Sequence, residues 1–280
     1  MHLQRIFLFL CLVPCLCTTL AQTTHSTLFG VGAVRQLDTY LSPLNYKGPQ
    51  MQFMKEKLRP TQLWKGRVAY QGIMQIDIAS TRNATKKSTS LSGDISYSAT
   101  WYYTFFNHLP FNMFSNSAKF TLMAGPQLGG SLGILYNTRN GNNPAQALAS
   151  ANLGISGAAI CSFSLCGHTF SLREQLDIPC LGLMFSPNYD QSYFDIFSEG
   201  HYNHNVCFTS PVNAPCCRNL LTLDFPLAGA TIRAGYLIDI RQSNVNQIKH
   251  HSYTHAFMIG WVKYLYHRPR REALKDNFIL

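Results

Sequence analysis

The 280-residue sequence is poor in charge and poorer still in acid. Asp, Glu, Lys and Arg make up 13% of it, about half the ~25% usual in soluble domains. Lys and Arg number 23 against 13 Asp and Glu, for a formal net charge of +10. A basic surface of this kind suits an anionic neighbour such as outer-membrane lipid, lipopolysaccharide or an acidic glycan; the alternative reading is that the basic residues simply mark interfaces and tails. Beyond the N-terminal segment no apolar run reaches the ~18 residues of a spanning helix. No nucleic-acid module is recognisable, which excludes a nucleic-acid partner. Cys161, Cys166, Cys180, Cys207, Cys216 and Cys217 fit no zinc spacing, so neither a metal nor a cofactor is expected. Their disulfide connectivity cannot be read from spacing. Asp190, Ser192, Asp195, His201, His204, His250 and His251 form no recognisable triad, so no catalytic residue is assigned.

Residues 1–21 read as a secretory signal, with Arg5, the apolar stretch IFLFLCLVPCLC and a small-residue cleavage site at Thr19-Leu20-Ala21. An exported chain without a spanning helix can enter a bilayer only as a closed barrel. Residues 22–267 carry the pattern this needs. In SAKFTLMAGPQLGGSLGILY at 117–136 the even positions are apolar or small, including Phe120, Leu122, Leu128, Leu132, Ile134 and Tyr136. The odd positions include Lys119, Thr121, Gln127 and Ser131. A period of two marks a strand with one apolar face. Its length exceeds the ~5–6 residues of a soluble strand and suffices for the ~9–11 of a tilted bilayer crossing.

The same reading along the chain gives ten strands, at 27–35, 51–59, 66–79, 92–106, 117–136, 145–163, 169–184, 219–226, 230–242 and 253–267. The second is interrupted by Lys55, Glu56 and Lys57, and Glu174 falls on the apolar face of the seventh. A carboxylate facing lipid is costly, so a bulge, an interfacial depth or a different register is expected there. Connections after odd-numbered strands are long and those after even-numbered strands shorter, the parity of outer-membrane barrels with both ends in the periplasm. The expected fold is an all-β antiparallel transmembrane barrel of about ten strands, monomeric, with long extracellular loops, short periplasmic turns and a basic tail at 268–280.

The polar faces place Arg67, Asp77, Asp94, Lys119, Arg173, Asp177, Asp224, Arg233, Asp239 and Arg241 inside. With both signs present in a narrow bore, an ion-pair network filling the lumen is expected ahead of the lining of an open pore. At the rim, Asp38, Tyr40, Arg139, Asn140, Asn142, Asn143, Tyr189, Gln191 and Tyr193 have the side chains to hydrogen-bond or stack on a small polar or glycan ligand. The competing reading is turn chemistry, since Asn-Gly and Ser-Pro are common turn formers.

Several stretches read together: DTYLSP at 38–43, YNTRNGNNP at 136–144, FSP at 185–187 with Tyr189 and QSY at 191–193, and His255-Ala256-Phe257. With these motifs the chain resembles a family of exported Bacteroidetes proteins known as domain of unknown function 3316, over roughly residues 30–266. The resemblance implies an envelope location and brings no activity with it. The function expected is that of an outer-membrane barrel binding or passing a small polar or glycan ligand. The alternatives are an outer-membrane hydrolase acting on lipid or peptide, and a structural or adhesion barrel with a plugged lumen.

Overall fold

The computed structural model describes residues 21–113, 116–141, 143–165 and 167–267. The segment expected as a secretory signal lies, apart from Ala21, outside the described residues, as do residues 114–115, Asn142, Cys166 and the tail at 268–280. The strands are β1 (Ala21–Asp38), β2 (Ser42–Pro60), β3 (Val68–Asn83), β4 (Thr89–Met113), β5 (Asn116–Asn137), β6 (Ala145–Leu165), β7 (His168–Phe185), β8 (Val206–Thr209), β9 (Cys217–Leu227), β10 (Ala230–Val245) and β11 (Ile248–His267). A short helix, α1 (Tyr193–Phe197), precedes β8.

Every pairing is antiparallel, and the sheet closes on itself through β1–β11 and β6–β7. β8 and β9 occupy one position in the wall. β7 pairs with β9 over 171–177 and with β8 over 182–185, and residues 210–216 leave the wall between them. The result is a ten-stave barrel. One end, here the loop end, carries the long excursion at 186–205. The other, the turn end, includes the two-residue link Ala228-Gly229, with φ of 49° and 79°.

Alternation fixes which side chains go where. Val31, Met51, Ile78, Leu132 and Phe257 face outward and are 62%, 67%, 63%, 64% and 71% exposed. Their strand neighbours Gln52, Asp77 and Gln127 face inward and are 4–6% exposed. An apolar exterior around a polar interior is the inverse of a soluble core and the arrangement of a lipid-embedded barrel. Gly260 and Gly32 sit in the β1–β11 seam, where a Cβ would lie 1.8 Å from the Thr27 carbonyl oxygen and 2.0 Å from that of His255. Only glycine lets the two backbones approach this closely.

The strands run further than the sequence pattern indicates. β1 extends to Asp38 and β2 begins at Ser42, so most of the expected 38–50 loop is strand, as is much of 243–252. The ends of these strands lose the apolar/polar alternation, so no period marks them. Glu174 keeps its outward register, and its carboxylate accepts a hydrogen bond from Asn219 Nδ2 on β9. The bulge lies further along, between Pro179 and Leu181. It turns Leu181 and Leu183, 51% and 52% exposed, outward.

Candidate functional site

The lumen is filled toward the turn end. Leu28, Met54, Ile73, Leu220, Leu237, Ala256 and Met258 form an apolar cluster inside the barrel. Beside it Glu56, on β2, is held between two arginines. Arg173 Nη1 donates to Glu56 Oε1 at 2.5 Å and Arg233 Nη1 to Oε2 at 2.5 Å. Gln71 Nε2 at 2.6 Å and Ser26 Oγ at 3.0 Å complete its partners. Arg233 also grips Asp224 with two parallel bonds of 2.6 and 2.8 Å, the bidentate geometry that makes a guanidinium the strongest carboxylate partner. Gln175 and Tyr102 extend the network through Gln71, and Tyr102 reaches Ser156 on β6 at 2.6 Å.

Toward the loop end two further arginines cross the bore. Arg218 on β9 binds Asp177 at 2.6 Å and reaches Ser98 on β4 at 3.2 Å. Arg241 on β10 meets Asp239 at 2.8 Å, Asp94 at 2.7 Å and Asp77 at 3.4 Å. Against this bridge lies a chamber of about 140 Å³. Its wall on β4, β5 and β6 is small and polar, with Ser96, Ser98, Gln127, Ser131, Ser150 and Asn152; facing it are Asp177, Asp239, Arg218, Arg241, Cys216 and Cys217. The volume falls below the ~300–1,000 Å³ of common ligand pockets, which limits any occupant to a small solute.

The excursion at 186–205 crosses the loop end and is tied to three hairpins. Tyr40 Oη donates to the Gln191 carbonyl at 3.0 Å. The Ala147 amide donates to Tyr193 Oη at 2.6 Å. Asn246 Nδ2 donates to the carbonyls of Ser186 and His204 at 3.1 and 2.9 Å. Within the excursion, Ser192 and Asp195 cap α1 reciprocally, and Ile196 is 1% exposed beneath it. Burial pushes the Tyr40 phenol up to about 12, with the nearby Tyr193, Asp195 and Asp38 adding to the shift. Tyr193 is raised for the same first cause. The Ser192 hydrogen bonds hold the Asp195 carboxyl below its ordinary value.

The residues expected inside divide cleanly. Asp77, Asp94, Arg173, Asp177, Asp224, Arg233, Asp239 and Arg241 all take part in the ion pairs. Arg67 does not: it caps the turn before β3, exposed, and donates to Tyr103 Oη at 3.2 Å. Lys119 is also exposed, because the inward face of β5 has already reached the turn end there.

At the rim, Asp38 is 4% exposed and bonded to His250 Nδ1 at 2.9 Å. With its amide nitrogen turned toward Asp38, Gln146 donates to both carboxylate oxygens. Tyr40 stacks edge-on against Tyr193, with centroids 5.8 Å apart. Asn140 donates to the Leu41 carbonyl at 3.1 Å and accepts from the Asn143 amide at 3.1 Å. Gln191 Oε1 gathers Asn188 and Asn205. These side chains hold the rim and the excursion together, while Arg139 and Tyr189 are exposed. The described cysteines, Cys161, Cys180, Cys207, Cys216 and Cys217, are free thiols.

The family described as Protein of unknown function (DUF3316) matches residues 17–272. The chain belongs to that family. No curated protein matches it. Among solved structures it is similar to the transport unit of the autotransporter AIDA-I from Escherichia coli, at 8% identity over 90% of this chain and 93% of that one, with a TM-score of 0.43. It is also similar to an outer membrane channel from Pseudomonas putida F1, at 6% identity over 88% and 96%, with a TM-score of 0.35.

Sequence reasoning missed Glu56 and Arg218, two centres of the network. Glu56 shares the inward parity of Gln50, Gln52 and Met54, which is the signal that finds it. Arg218 immediately precedes the expected start of its strand and has the parity of Leu220, Thr222 and Asp224.

Proposed function

We propose that this family member is a monomeric outer-membrane barrel that binds a small polar or glycan ligand in the chamber at its loop end and does not conduct. The observation that carries the reading is the pair of arginines, Arg218 and Arg241, spanning the bore beside a hydroxyl-lined chamber, with Glu56 and an apolar cluster closing the lumen beyond them. A pore needs a continuous wet path; a binding site needs fixed polar groups around a small space. Asp239 and Arg241 present opposite charges to the chamber, and Ser131, Ser150 and Asn152 offer hydroxyl and amide groups opposite them. That combination suits a solute rich in hydroxyls. Arg139 and Tyr189, exposed at the rim, are its first contacts.

Planar-bilayer recording of the purified barrel tests the closed lumen: the expected result is a silent membrane, and steady ohmic conductance overturns the reading. Calorimetric titration with a panel of monosaccharides and amino sugars tests the chamber. Binding weakened about tenfold or more by Asp239→Asn or Ser150→Leu supports it, on the scale of one charged hydrogen bond. A panel that binds neither wild type nor variant, or binds both alike, overturns it.

A further inference from the structure

The cations of the barrel wall are ordered. Arg35 on β1, Lys47 on β2 and Arg82 on β3 are direct cross-strand partners, Arg35 opposite Lys47 and Lys47 opposite Arg82. All three are exposed on the outer face. Among the described residues none of them takes part in an ion pair. Residues opposed in this way have Cβ atoms about 4.5–5.5 Å apart, and like charges there repel. A solvent-facing ladder commonly alternates sign; this one carries a single sign on three adjacent strands, so an anion bridging the row would relieve its repulsion. Asn45 Oδ1 accepts from Arg35 Nε at 3.2 Å, which restrains the guanidinium at this level.

What lies below the row on the same wall decides the kind of anion. Two residues toward the turn end, the outward positions are Ala33, Pro49 and Ser80, all exposed and small. They form a ledge under the cations. Two residues further come Val31, Met51 and Ile78, in register and exposed. Beyond them are Phe29, Phe53 and Ile76, with the two rings 5.2 Å apart. Each step is about 7 Å of strand. Cation row, shallow ledge and apolar ladder reproduce the order of phosphate, backbone and acyl chain in a membrane lipid.

The depth agrees. At the turn end, Lys57 and Lys263 flank His25 in a second outward row. From His25 to Arg35 the strand advances ten residues, within the ~9–11 of a bilayer crossing. The two rows therefore stand at the two headgroup levels. They differ in chemistry: the turn-end row is broken by a histidine, whereas the loop-end row sets three permanent cations on adjacent strands. The cations are also local. On the far wall the outward side chains at the loop end are Tyr136, Ala145 and Ala147.

We propose that Arg35, Lys47 and Arg82 bind the phosphate of an outer-leaflet phosphoglycolipid of the lipopolysaccharide type. The Ala33–Pro49–Ser80 ledge takes its sugar, and the Val31–Met51–Ile78 ladder takes an acyl chain. This site rests on the loop end facing outward, and is independent of whether the chamber holds a solute.

The test uses the full chain folded in detergent and native mass spectrometry with three probes: a bisphosphorylated lipid A, the same lipid fully dephosphorylated, and inorganic phosphate. Wild type is expected to retain the bisphosphorylated lipid and not its dephosphorylated form, and millimolar inorganic phosphate does not displace it. A juxtamembrane cation contributes about fivefold to anionic-lipid binding, so the triple variant Arg35→Gln, Lys47→Gln, Arg82→Gln is expected to bind about a hundredfold more weakly. Lys57→Gln with Lys263→Gln leaves binding unchanged. A gel shift on boiling confirms that each variant is folded; if the triple variant is not, Lys47→Gln alone is read for its fivefold loss. Equal retention of both lipids, equal binding by the loop-end variant, or displacement by inorganic phosphate overturns the proposal.

Discussion

Replacing Glu56 by alanine is the sharpest test of the closed lumen. The side chain is 4% exposed and touches Arg173 and Arg233 at 2.5 Å each. Its loss affects the two arginines unequally. Arg233 keeps its bidentate partner Asp224, whereas Arg173 has no other carboxylate among the described residues. One guanidinium is thus left buried without a counter-charge beside the apolar cluster. Removing one partner of a buried ion pair costs about 3–5 kcal/mol. With a urea slope of about 2 kcal/mol/M, the unfolding midpoint should fall by roughly 2 M. The assay is urea unfolding in detergent micelles, followed by fluorescence of Trp64, Trp101 and Trp261 and by loss of the gel shift on boiling. The double variant Glu56→Leu with Arg173→Met removes both charges and restores apolar packing against Leu28 and Met54, so most of the loss should be recovered. A Glu56→Ala midpoint within ~0.3 M of wild type, or a double variant no better than the single, would refute the reasoning.

Two further outcomes follow from the seam and the loop end. Gly260→Ala places a Cβ 1.8 Å from the Thr27 carbonyl oxygen and should abolish the boiling-sensitive band, whereas Gly157→Ala, with nothing within 4 Å of the new Cβ, should fold as wild type. Because the folded Tyr40 phenol is raised to about 12 from 10.0, the stability it lends the 186–205 excursion is fully present below pH 10 and lost as pH climbs toward 12. The depressed Asp195 carboxyl works in the opposite sense: its cap on α1 holds above the ordinary carboxylate range and fails as pH falls through the lowered value. Hydrogen exchange of 188–205 across both limits measures each, and a flat profile at either end contradicts that limb.

What the sequence made legible follows from what a period of two can carry. Over their mid-spans the outward faces of β3, β4, β5 and β6 alternate between two contrasting media, so Ile78, Ile95, Leu132 and Ile155 identify themselves as lipid-facing; β4 slips register only past Thr104. Where polar side chains serve both the buried and the exposed face, the polarity pattern carries no period, even though burial still alternates. That is why the ends of β1, β2 and β10 read as loop. Glu56 was hidden differently. Lys55 and Lys57 face outward at the turn end, where long cationic side chains reach the headgroups, so three consecutive charges looked like a break in a strand that was in fact alternating. The rim shows the limit of reading residue type alone. Tyr40, Asn140, Gln191 and Tyr193 have the groups that would grip a sugar, and here those groups hold the chain's own backbone. A polar side chain in a loop declares its capacity for hydrogen bonds, and only the fold decides whether its partner is internal. Parity and register together do better than either alone. Arg35, Lys47 and Arg82 are far apart in the chain and unremarked one by one, yet strand pairing sets them side by side, and side by side they call for an anion.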